Sequence, residues 1–244
     1  MNNIIKPYNE VDSSKKSEVE QMFNTIAPKY DLLNHLLSLG IDRSWRNKAI
    51  ESLSAIQPLE NILDVATGTG DMAIKICKKY KKNVVGTDLT AGMLEKGNEK
   101  VKAEGLDNLI SLMKADSEDL PFDSDSFDAV TVAFGVRNYG DLDKGLSEMS
   151  RVLRKGGRMT ILEFSRPRRF PMKQLYLFYF RYILPMLGGL ISKDRRAYEY
   201  LPESVLAFPD GEEFEKHLMA VGMNPIKRIS LTCGIATIYI SDKI

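Results

Sequence analysis

Between residues 58 and 165, short apolar runs alternate with helical segments, and this alternation constrains the fold more than any other feature of the sequence. Parallel strands need long crossover connections, and the helical segments supply them. The pattern therefore predicts an α/β fold with a Rossmann-like, mostly parallel sheet. The predicted strands are NILDVA, NVVGTD, LISLMKAD, FDAVTVAF and RMTILEF, and the predicted helices between them are DMAIKICKKY, AGMLEKGNEKVKAEG and DLDKGLSEMSRVLRKGG.

The end of the chain departs from this alternation. A helix is predicted over DGEEFEKHLMAVG, and two strands follow it, NPIKRISL and GIATIYISD. Only a few residues around Cys233 lie between these strands, which permits a hairpin and forbids a helical crossover. The last two strands are therefore predicted to be antiparallel neighbours.

The elements divide one predicted domain into four stretches. Two short helices are predicted from Ser17 to Leu39, with a break near Pro28, and a third from Trp45 to Leu53. The predicted boundaries are 1–57 for an N-terminal helical cap, 58–165 for a cofactor-binding core, 166–209 for a helical lid inserted after the fifth strand, and 210–244 for the last helix and the hairpin.

The composition limits the classes of protein to which this chain can belong. An apolar fraction of 43% and a charged fraction of 27% are ordinary for a globular protein with a hydrophobic core. The formal net charge is +1, so we expect no nucleic-acid partner. Two widely spaced cysteines and two histidines predict neither a disulfide framework nor a metal site. No apolar segment follows a basic start, so the predicted location is the cytoplasm.

A glycine-rich corner, in the stretch DVATGTGDMAIKI, joins the first strand to its helix. Gly68 and Gly70 allow close approach of the backbone to a ligand, and the helix that follows offers unpaired N–H groups. No lysine follows Gly70, which excludes a P-loop. The dinucleotide pattern GxGxxG/A does match, with Ala73 as its last residue, so a nicotinamide cofactor stays open at this point.

Acidic residues at the strand ends favour a ligand that carries positive charge. Asp64 and Asp71 flank the corner, where they would be poor neighbours of a pyrophosphate. Asp88 can accept hydrogen bonds from both ribose hydroxyls, and Asp116 or the Ser117 backbone can meet the adenine amine. S-adenosylmethionine has a sulfonium, an ammonium group and no phosphate, so we predict it as the cofactor. Its predicted binding residues are Asp64, Thr67, Gly68, Gly70, Asp88, Asp116 and Ser117.

The order of the motifs LDVATGTGD, VVGTD, KADSEDLPFDSDSFDAV and EMSRVLRKGGRMTILEF, with a terminal hairpin, resembles the class I seven-stranded methyltransferases. Three segments narrow the resemblance to the quinone C-methyltransferases of the MenG/UbiE family: YDLLNHLLSLGIDRSW, AFGVRN and RVLRKGGRMTILEFS. The resemblance runs from about Met22 to the C-terminus. The sequence departs from the family pattern at Leu33, Asp42, Ala133 and Lys155.

The resemblance implies methyl transfer from S-adenosylmethionine to a ring carbon of a prenylated quinol, converting demethylmenaquinol to menaquinol. The polyprenyl-benzoquinol of ubiquinone biosynthesis, or both acceptors, stays open. Arg137 is predicted to favour ionisation of one quinol oxygen, because a nearby cation lowers the pKa of a phenol. Asn138 is predicted to hold the second oxygen. An alternative interpretation of Arg137 is a surface arginine paired with Asp141 or Asp143. Candidate helpers in the loss of the ring proton are Tyr30, Asp31 and His35, and the general base stays unassigned.

The segment RPRRFPMKQLYLFYFRYILPMLGGLISKDRR is aromatic and basic. Its apolar run from Gln174 to Ile191 is almost long enough to cross a membrane, but Arg181 lies within it and Pro185 interrupts it. Two interpretations stay open: a buried helix over the sheet, and an aromatic lid that lies on the inner face of an anionic membrane through residues 166–191. The basic residues beside this lid are Arg166, Arg168, Arg169 and Lys173.

Two other functions are compatible with the same pattern. One is a nicotinamide-dependent oxidoreductase, and the other is a scaffold that binds the cofactor without turnover. The sequence also leaves open whether the chain forms a homodimer.

Overall fold

A single seven-stranded sheet forms the centre of the protein. The structure is a computed structural model and describes residues 5–31, 38, 40–183 and 195–244. The strands are β1 (Asn61–Val65), β2 (Asn83–Asp88), β3 (Ile110–Lys114), β4 (Phe127–Ala133), β5 (Leu153–Phe164), β6 (Met223–Leu231) and β7 (Ala236–Lys243). Their order across the sheet is β3-β2-β1-β4-β5-β7-β6.

Helices surround this sheet. They are α1 (Lys15–Ile26), α2 (Ile41–Glu51), α3 (Asp71–Tyr80), α4 (Ala91–Ala103), α5 (Leu142–Val152), α6 (Met172–Phe178), α7 (Arg195–Ala207) and α8 (Glu212–Ala220). The first five strands pair in parallel, and β7 pairs antiparallel with both β5 and β6. The predicted mostly parallel sheet, its antiparallel hairpin, the extra N-terminal helices and the helical insert after β5 are thereby confirmed.

The core divides between the two faces of the sheet because successive side chains of a strand point in opposite directions. Ile62 of β1 belongs to a cluster with Trp45 and Ile50 of α2, and Leu63 belongs to a cluster with Met149 of α5. A third, smaller cluster joins α1 to the insert. Its buried members are Val19, Met22, Tyr176, Ala197, Tyr198, Tyr200 and Val205.

The predicted boundary between helix α5 and strand β5 is wrong. The helix predicted to run to Gly157 ends at Val152, and Leu153 begins β5 by pairing with Phe127. A register shift follows this pair, and Gly156 adopts a positive φ of 70° that only glycine takes without strain. The glycine pair at 156–157, which predicted the end of a helix, therefore lies at a bulge inside β5.

Differences near the N-terminus have a local cause. The hydroxyl of Ser14 accepts a hydrogen bond from Ser17 N at 3.1 Å, so α1 begins two residues before its predicted start. The predicted break near Pro28 is a short 3-10 turn over Ala27–Lys29.

Some predictions fall outside the described residues. The second predicted short helix and His35 fall in residues 32–37 and 39, and part of the predicted lid falls in residues 184–194. None of the described helices has the length and apolar character needed to cross a membrane.

Candidate active site

A cavity opens where the strand order reverses, at the carboxyl ends of β1, β2 and β4, which is the usual ligand position in open α/β sheets. We call it the strand-end cavity, and its empty space is about 720 Å³. Helix α1 closes one side of it through Lys16, Val19 and Phe23. The predicted site residues that line it are Tyr30, Gly68, Asp88, Asp116, Ser117 and Asn138.

Asp88 connects β2 to the glycine corner. Its Oδ2 accepts a hydrogen bond from Gly68 N at 2.9 Å, and its Oδ1 accepts one from Thr90 N at 2.8 Å. Burial raises the pKa of this carboxyl group. Each carboxylate oxygen has a second lone pair, so Asp88 can still accept hydrogen bonds from a ligand in the cavity.

Asp64 lies beneath the corner and is not among the residues that line the cavity. Its carboxylate accepts hydrogen bonds from Thr67 Oγ1 at 2.6 Å and Thr131 Oγ1 at 2.7 Å, and the residue is only 1% exposed. Burial raises the pKa of Asp64 to about 6. Asp64 and Thr67 thus stabilise the glycine corner from the side that faces away from the cavity. Gly70 is also absent from the cavity lining, and it caps the N-terminus of α3 with a positive φ of 79°.

Asp71 is not among the residues that line the strand-end cavity, although the sequence predicted that it would lie beside a cationic ligand. Its carboxylate contacts the ammonium group of Lys100, which also lies 2.9 Å from Asp31 Oδ2. Asp31 in turn accepts a hydrogen bond from Thr69 Oγ1 at 2.6 Å. The negative charge at Asp71 is therefore balanced within the protein, and the cluster ties the segment of Tyr30 to the glycine corner.

Asp116 stands at the mouth of the cavity beside α1. Its Oδ2 lies 2.6 Å from Lys16 Nζ, which also lies 2.9 Å from Glu118 Oε2. Glu118 accepts a hydrogen bond from Gly140 N at 2.8 Å. Lys16 and Glu118 were not predicted as site residues. Helical spacing in α1 does not show which cavity Lys16 borders, and the stretch KADSEDLPF does not show which of its acidic residues line that cavity.

A second, larger cavity lies beside the first, with an empty space of about 1330 Å³. We call it the aromatic cavity because rings dominate its wall. Its aromatic lining residues are Phe23, Tyr30, Trp45, Phe134, Phe164, Tyr179, Tyr198 and Tyr200. Its charged lining residues are Asp42, Arg46 and Arg137. The two cavities share Phe23, Tyr30, Phe134 and Asn138. A molecule in one cavity can therefore lie against a molecule in the other.

Arg137 reaches the aromatic cavity from a short 3-10 turn, Val136–Asn138, that follows β4. Its Nη1 donates to Glu163 Oε1 at 2.8 Å and also to the carbonyl oxygen of Phe134. Neither Asp141 nor Asp143 is the partner, so the interpretation of Arg137 as a surface arginine is wrong. Burial raises the pKa of Glu163, and Arg137 offsets part of that rise.

Asn138 and Phe134 form the boundary between the cavities. Asn138 Oδ1 accepts a hydrogen bond from Tyr200 OH at 3.2 Å, and its Nδ2 lies 3.5 Å from the Phe134 carbonyl oxygen. Phe134 has a positive φ of 62°, which is uncommon for a residue with a side chain and typical of functional sites. The AFGVRN motif thus places two polar side chains and one strained aromatic residue at the same boundary.

A seven-stranded sheet of this order, with carboxylates around a cavity at its strand ends, is the fold of the class I methyltransferases. A solved S-adenosylmethionine-dependent methyltransferase from Thermotoga maritima has the same fold, with a TM-score of 0.62. It is 16% identical to this chain, and the match covers 92% of this chain and 99% of that one. The predicted fold class is confirmed.

The chain belongs to the ubiE/COQ5 methyltransferase family, whose family model matches residues 11–243. The demethylmenaquinone methyltransferase of Bacteroides fragilis is 52% identical over 98% of this chain and 97% of its own length. The ubiquinone/menaquinone biosynthesis C-methyltransferase UbiE of Geotalea daltonii is 47% identical over 95% of this chain and 98% of its own length. These findings confirm the predicted family and the prediction of an S-adenosylmethionine-dependent methyltransferase.

Proposed function

We propose that this protein transfers the methyl group of S-adenosylmethionine to a ring carbon of demethylmenaquinol, giving menaquinol. The observation that carries the proposal is the shared wall of the two cavities, since methyl transfer requires a donor and an acceptor in direct contact. The acceptor is taken from the name of the Bacteroides relative.

The strand-end cavity suits S-adenosylmethionine. Asp88 would accept hydrogen bonds from the ribose hydroxyls, and Asp116 with Ser117 would lie beside the adenine ring. Gly68 has a positive φ of 58°, which glycine adopts without strain, and an added Cβ there would meet Tyr30 Cε1 only at 3.9 Å. The space beside the Gly68 backbone is therefore open to the amino-acid portion of the cofactor. Asp64, Thr67 and Gly70 would act by fixing the corner.

The aromatic cavity suits the ring and the first part of the prenyl tail of a quinol. The reaction is an in-line displacement in which the ring carbon forms a bond to the methyl group and the methyl–sulfur bond breaks, leaving its electron pair on sulfur. The ring carbon then loses a proton. Arg137 would hold a quinol oxygen and favour its ionised form, which makes the ring carbon more nucleophilic. Tyr30, in both linings, would orient the reacting groups.

Labelled S-adenosylmethionine tests the activity directly. The protein is incubated with it and reduced demethylmenaquinone without oxygen, and the label is measured in the extracted lipid. We expect labelled menaquinone, and its absence with folded, cofactor-binding protein would refute the proposal. A parallel reaction with the polyprenyl-benzoquinol tests the second candidate acceptor, which the UbiE name of the Geotalea relative favours.

We also propose that the insert contacts an anionic membrane, because a prenylated quinol resides in lipid. Helix α6 buries Tyr176 but exposes Leu175 and Phe178, and Phe170 just before it is 80% exposed. Exposed basic side chains accompany this surface, namely Arg168, Arg169 and Lys173. Apolar residues bordered by cations are typical of proteins that lie on anionic lipid.

Vesicle binding tests this contact. The protein is expected to sediment with vesicles that contain phosphatidylglycerol and less with purely phosphatidylcholine vesicles. The combined change Phe170→Ser, Leu175→Ser and Phe178→Ser should abolish sedimentation. Met219→Ser, which alters an exposed apolar residue of α8, is the matched control and should change nothing. Equal binding by the triple variant would exclude this surface.

A further inference from the structure

A second arginine–carboxylate pair, Arg46 with Asp42, lines the aromatic cavity. Arg46 and Asp42 lie one turn apart on α2, with side chains 8% and 5% exposed, and the guanidinium contacts Asp42 Oδ2. Ser38 Oγ donates a hydrogen bond to Asp42 Oδ1 at 2.6 Å. A buried ion pair does not by itself indicate a gain in stability, because its desolvation cost can exceed its attraction.

The guanidinium of Arg46 retains an unused donor. Its Nε is buried, and no acceptor for it lies among the residues that the structure describes. Arg137 Nε is also buried, and it too has no hydrogen-bond acceptor among the described residues. Buried donors without acceptors are rare in folded proteins, and each calls for an explanation. Both arginines line the cavity in which we place the acceptor, so the accessible part of each guanidinium group can meet a ligand oxygen there.

The two guanidinium groups lie against different rings of one aromatic pair. Arg46 Cζ is 5.3 Å from the centroid of the Phe134 ring, and Arg137 Cζ is 5.3 Å from that of the Phe164 ring. The two ring centroids are 4.5 Å apart, with the rings tilted by 31°. Arg137 and Asn138 both reach the carbonyl oxygen of Phe134, so these two side chains serve the same end of the cavity.

We propose that Arg46, held by Asp42, binds the second hydroxyl of a para-dihydroxy aromatic acceptor, while Arg137 and Asn138 bind the first. This inference rests on the proposed function and adds to it. It moves the second oxygen from Asn138, where the sequence analysis placed it, to Arg46. Two oxygens on opposite sides of one ring need two separate polar groups in an otherwise apolar cavity, and the two arginines are such groups.

The balance of charge at each arginine supports this division. Asp42 offsets the charge of Arg46, and Glu163 offsets that of Arg137. The cavity is therefore polar at two places without a large net charge, which suits a dihydroxy ring better than a carboxylate or a phosphate. A phosphate would instead be expected to meet unopposed arginines.

Binding of truncated acceptors tests the assignment. The ligands are a geranylated para-dihydroxynaphthalene and its two analogues that each lack one hydroxyl, measured by competition in the presence of S-adenosylhomocysteine. Arg46→Met is expected to weaken binding of the dihydroxy ring by about 10- to 100-fold, as for a lost hydrogen bond from a charged donor. It should not further weaken binding of the analogue that lacks the hydroxyl bound by Arg46. Arg137→Met should also weaken binding of the dihydroxy ring, and it should not further weaken binding of the analogue that lacks the hydroxyl bound by Arg137.

Matched variants keep the test decisive. Arg43→Met alters an exposed arginine of the same helix and should leave all three affinities unchanged. The double change Asp42→Asn with Arg46→Met leaves no buried unpaired carboxylate, and it should reproduce the pattern of the single variant if that variant folds poorly. Unchanged dihydroxy affinity in Arg46→Met, or an equal loss for both monohydroxy analogues, would overturn the inference.

The proposed function and this inference fail differently. Wild-type protein that binds S-adenosylhomocysteine but neither binds the dihydroxy ring nor methylates demethylmenaquinol would refute both. Wild-type protein that methylates demethylmenaquinol, together with an Arg46→Met variant that still distinguishes dihydroxy from monohydroxy rings as the wild type does, would refute the inference alone.

Discussion

Arg137 and Glu163 form an ion pair next to the aromatic cavity, with 2.8 Å between Arg137 Nη1 and Glu163 Oε1 and with the Glu163 side chain fully buried. Glu163 also accepts hydrogen bonds from the backbone N–H groups of Phe164, at 2.7 Å, and Arg137, at 3.3 Å. One carboxylate at the end of β5 thus fixes both the side chain and the backbone of the residue that we propose holds a quinol oxygen.

Glu163→Gln should therefore lower turnover by about 10- to 100-fold, because an amide offers only one acceptor oxygen and cannot satisfy all of these donors. Affinity for S-adenosylhomocysteine should stay unchanged, since Glu163 does not line the strand-end cavity. The control is Glu60→Gln, which alters a surface ion pair with Lys82 and should have no effect. Full turnover in the Glu163 variant, or a parallel loss of cofactor affinity, would contradict the assignment.

Asp88→Asn should weaken S-adenosylhomocysteine binding by about 10- to 100-fold. Both carboxylate oxygens of Asp88 accept backbone N–H groups, and the amide nitrogen of asparagine would face one of these donors. Titration calorimetry measures the affinity. Asp125→Asn, which alters a surface carboxylate paired with Lys243, serves as the control. Equal affinities in the Asp88 variant and the wild type would exclude Asp88 from the cofactor site.

Asp64→Asn should change how the free energy of unfolding depends on pH. Burial raises the pKa of Asp64 to about 6 in the folded protein, from an ordinary value of 3.8. Between these two pH values the folded state therefore binds more protons at Asp64 than the unfolded state does. Stability from this group is full below the lower value and is lost as the pH rises through about 6, by about 3 kcal/mol in all. Relative to the wild type, the variant should therefore gain stability from pH 4 to pH 7 in denaturant titrations. A constant difference would refute this.

Lys15→Met should remove a second pH dependence, at higher pH. Lys15 Nζ donates to the carbonyl oxygens of Arg137 at 2.9 Å and Tyr139 at 2.7 Å. Burial, and then the charge of Arg137, lower the pKa of Lys15 to about 8. The unfolded chain binds more protons between this value and the ordinary 10.5, so the stability from this group rises with pH in that window and is lost as the pH falls through about 8.

Denaturant titrations of the Lys15 variant at pH 7 and pH 9 check this prediction. The wild type should gain more stability than the variant over that interval, and Lys48→Met, at an exposed position of α2, should behave as the wild type does. If the Lys15 variant and the wild type change in parallel, the lysine does not titrate in this range.

Local patterns predicted much of the architecture. The helix DMAIKICKKY and the strand NVVGTD have the same bounds in the structure as in the prediction, because glycine or polar residues end each periodic run. The antiparallel pairing of β6 and β7 was predicted correctly from the short gap between these two strands. The start of β5 could not be predicted in this way, since Leu153 becomes a strand residue only through pairing with Phe127.

The partners of the acidic residues were beyond the reach of local patterns. Asp71 meets Lys100, and Asp64 meets Thr131, across 29 and 67 positions of the chain. A carboxylate at a strand end can point into the crevice or beneath the loop, and the sequence near it is similar in both cases. The AFGVRN motif likewise indicated that Arg137 has a function, but it did not indicate Glu163 as the partner of Arg137.

The sequence by itself determined the class of fold, the position of the glycine corner and the family, because periodicity and motif order are properties of neighbouring residues. Only the tertiary structure decided that Asp88 and Asp116 line the strand-end cavity while Asp64 and Asp71 do not, and that Arg46 shares the aromatic cavity with Arg137. The physical reason is that burial and charge balance depend on side chains brought together from distant parts of the chain.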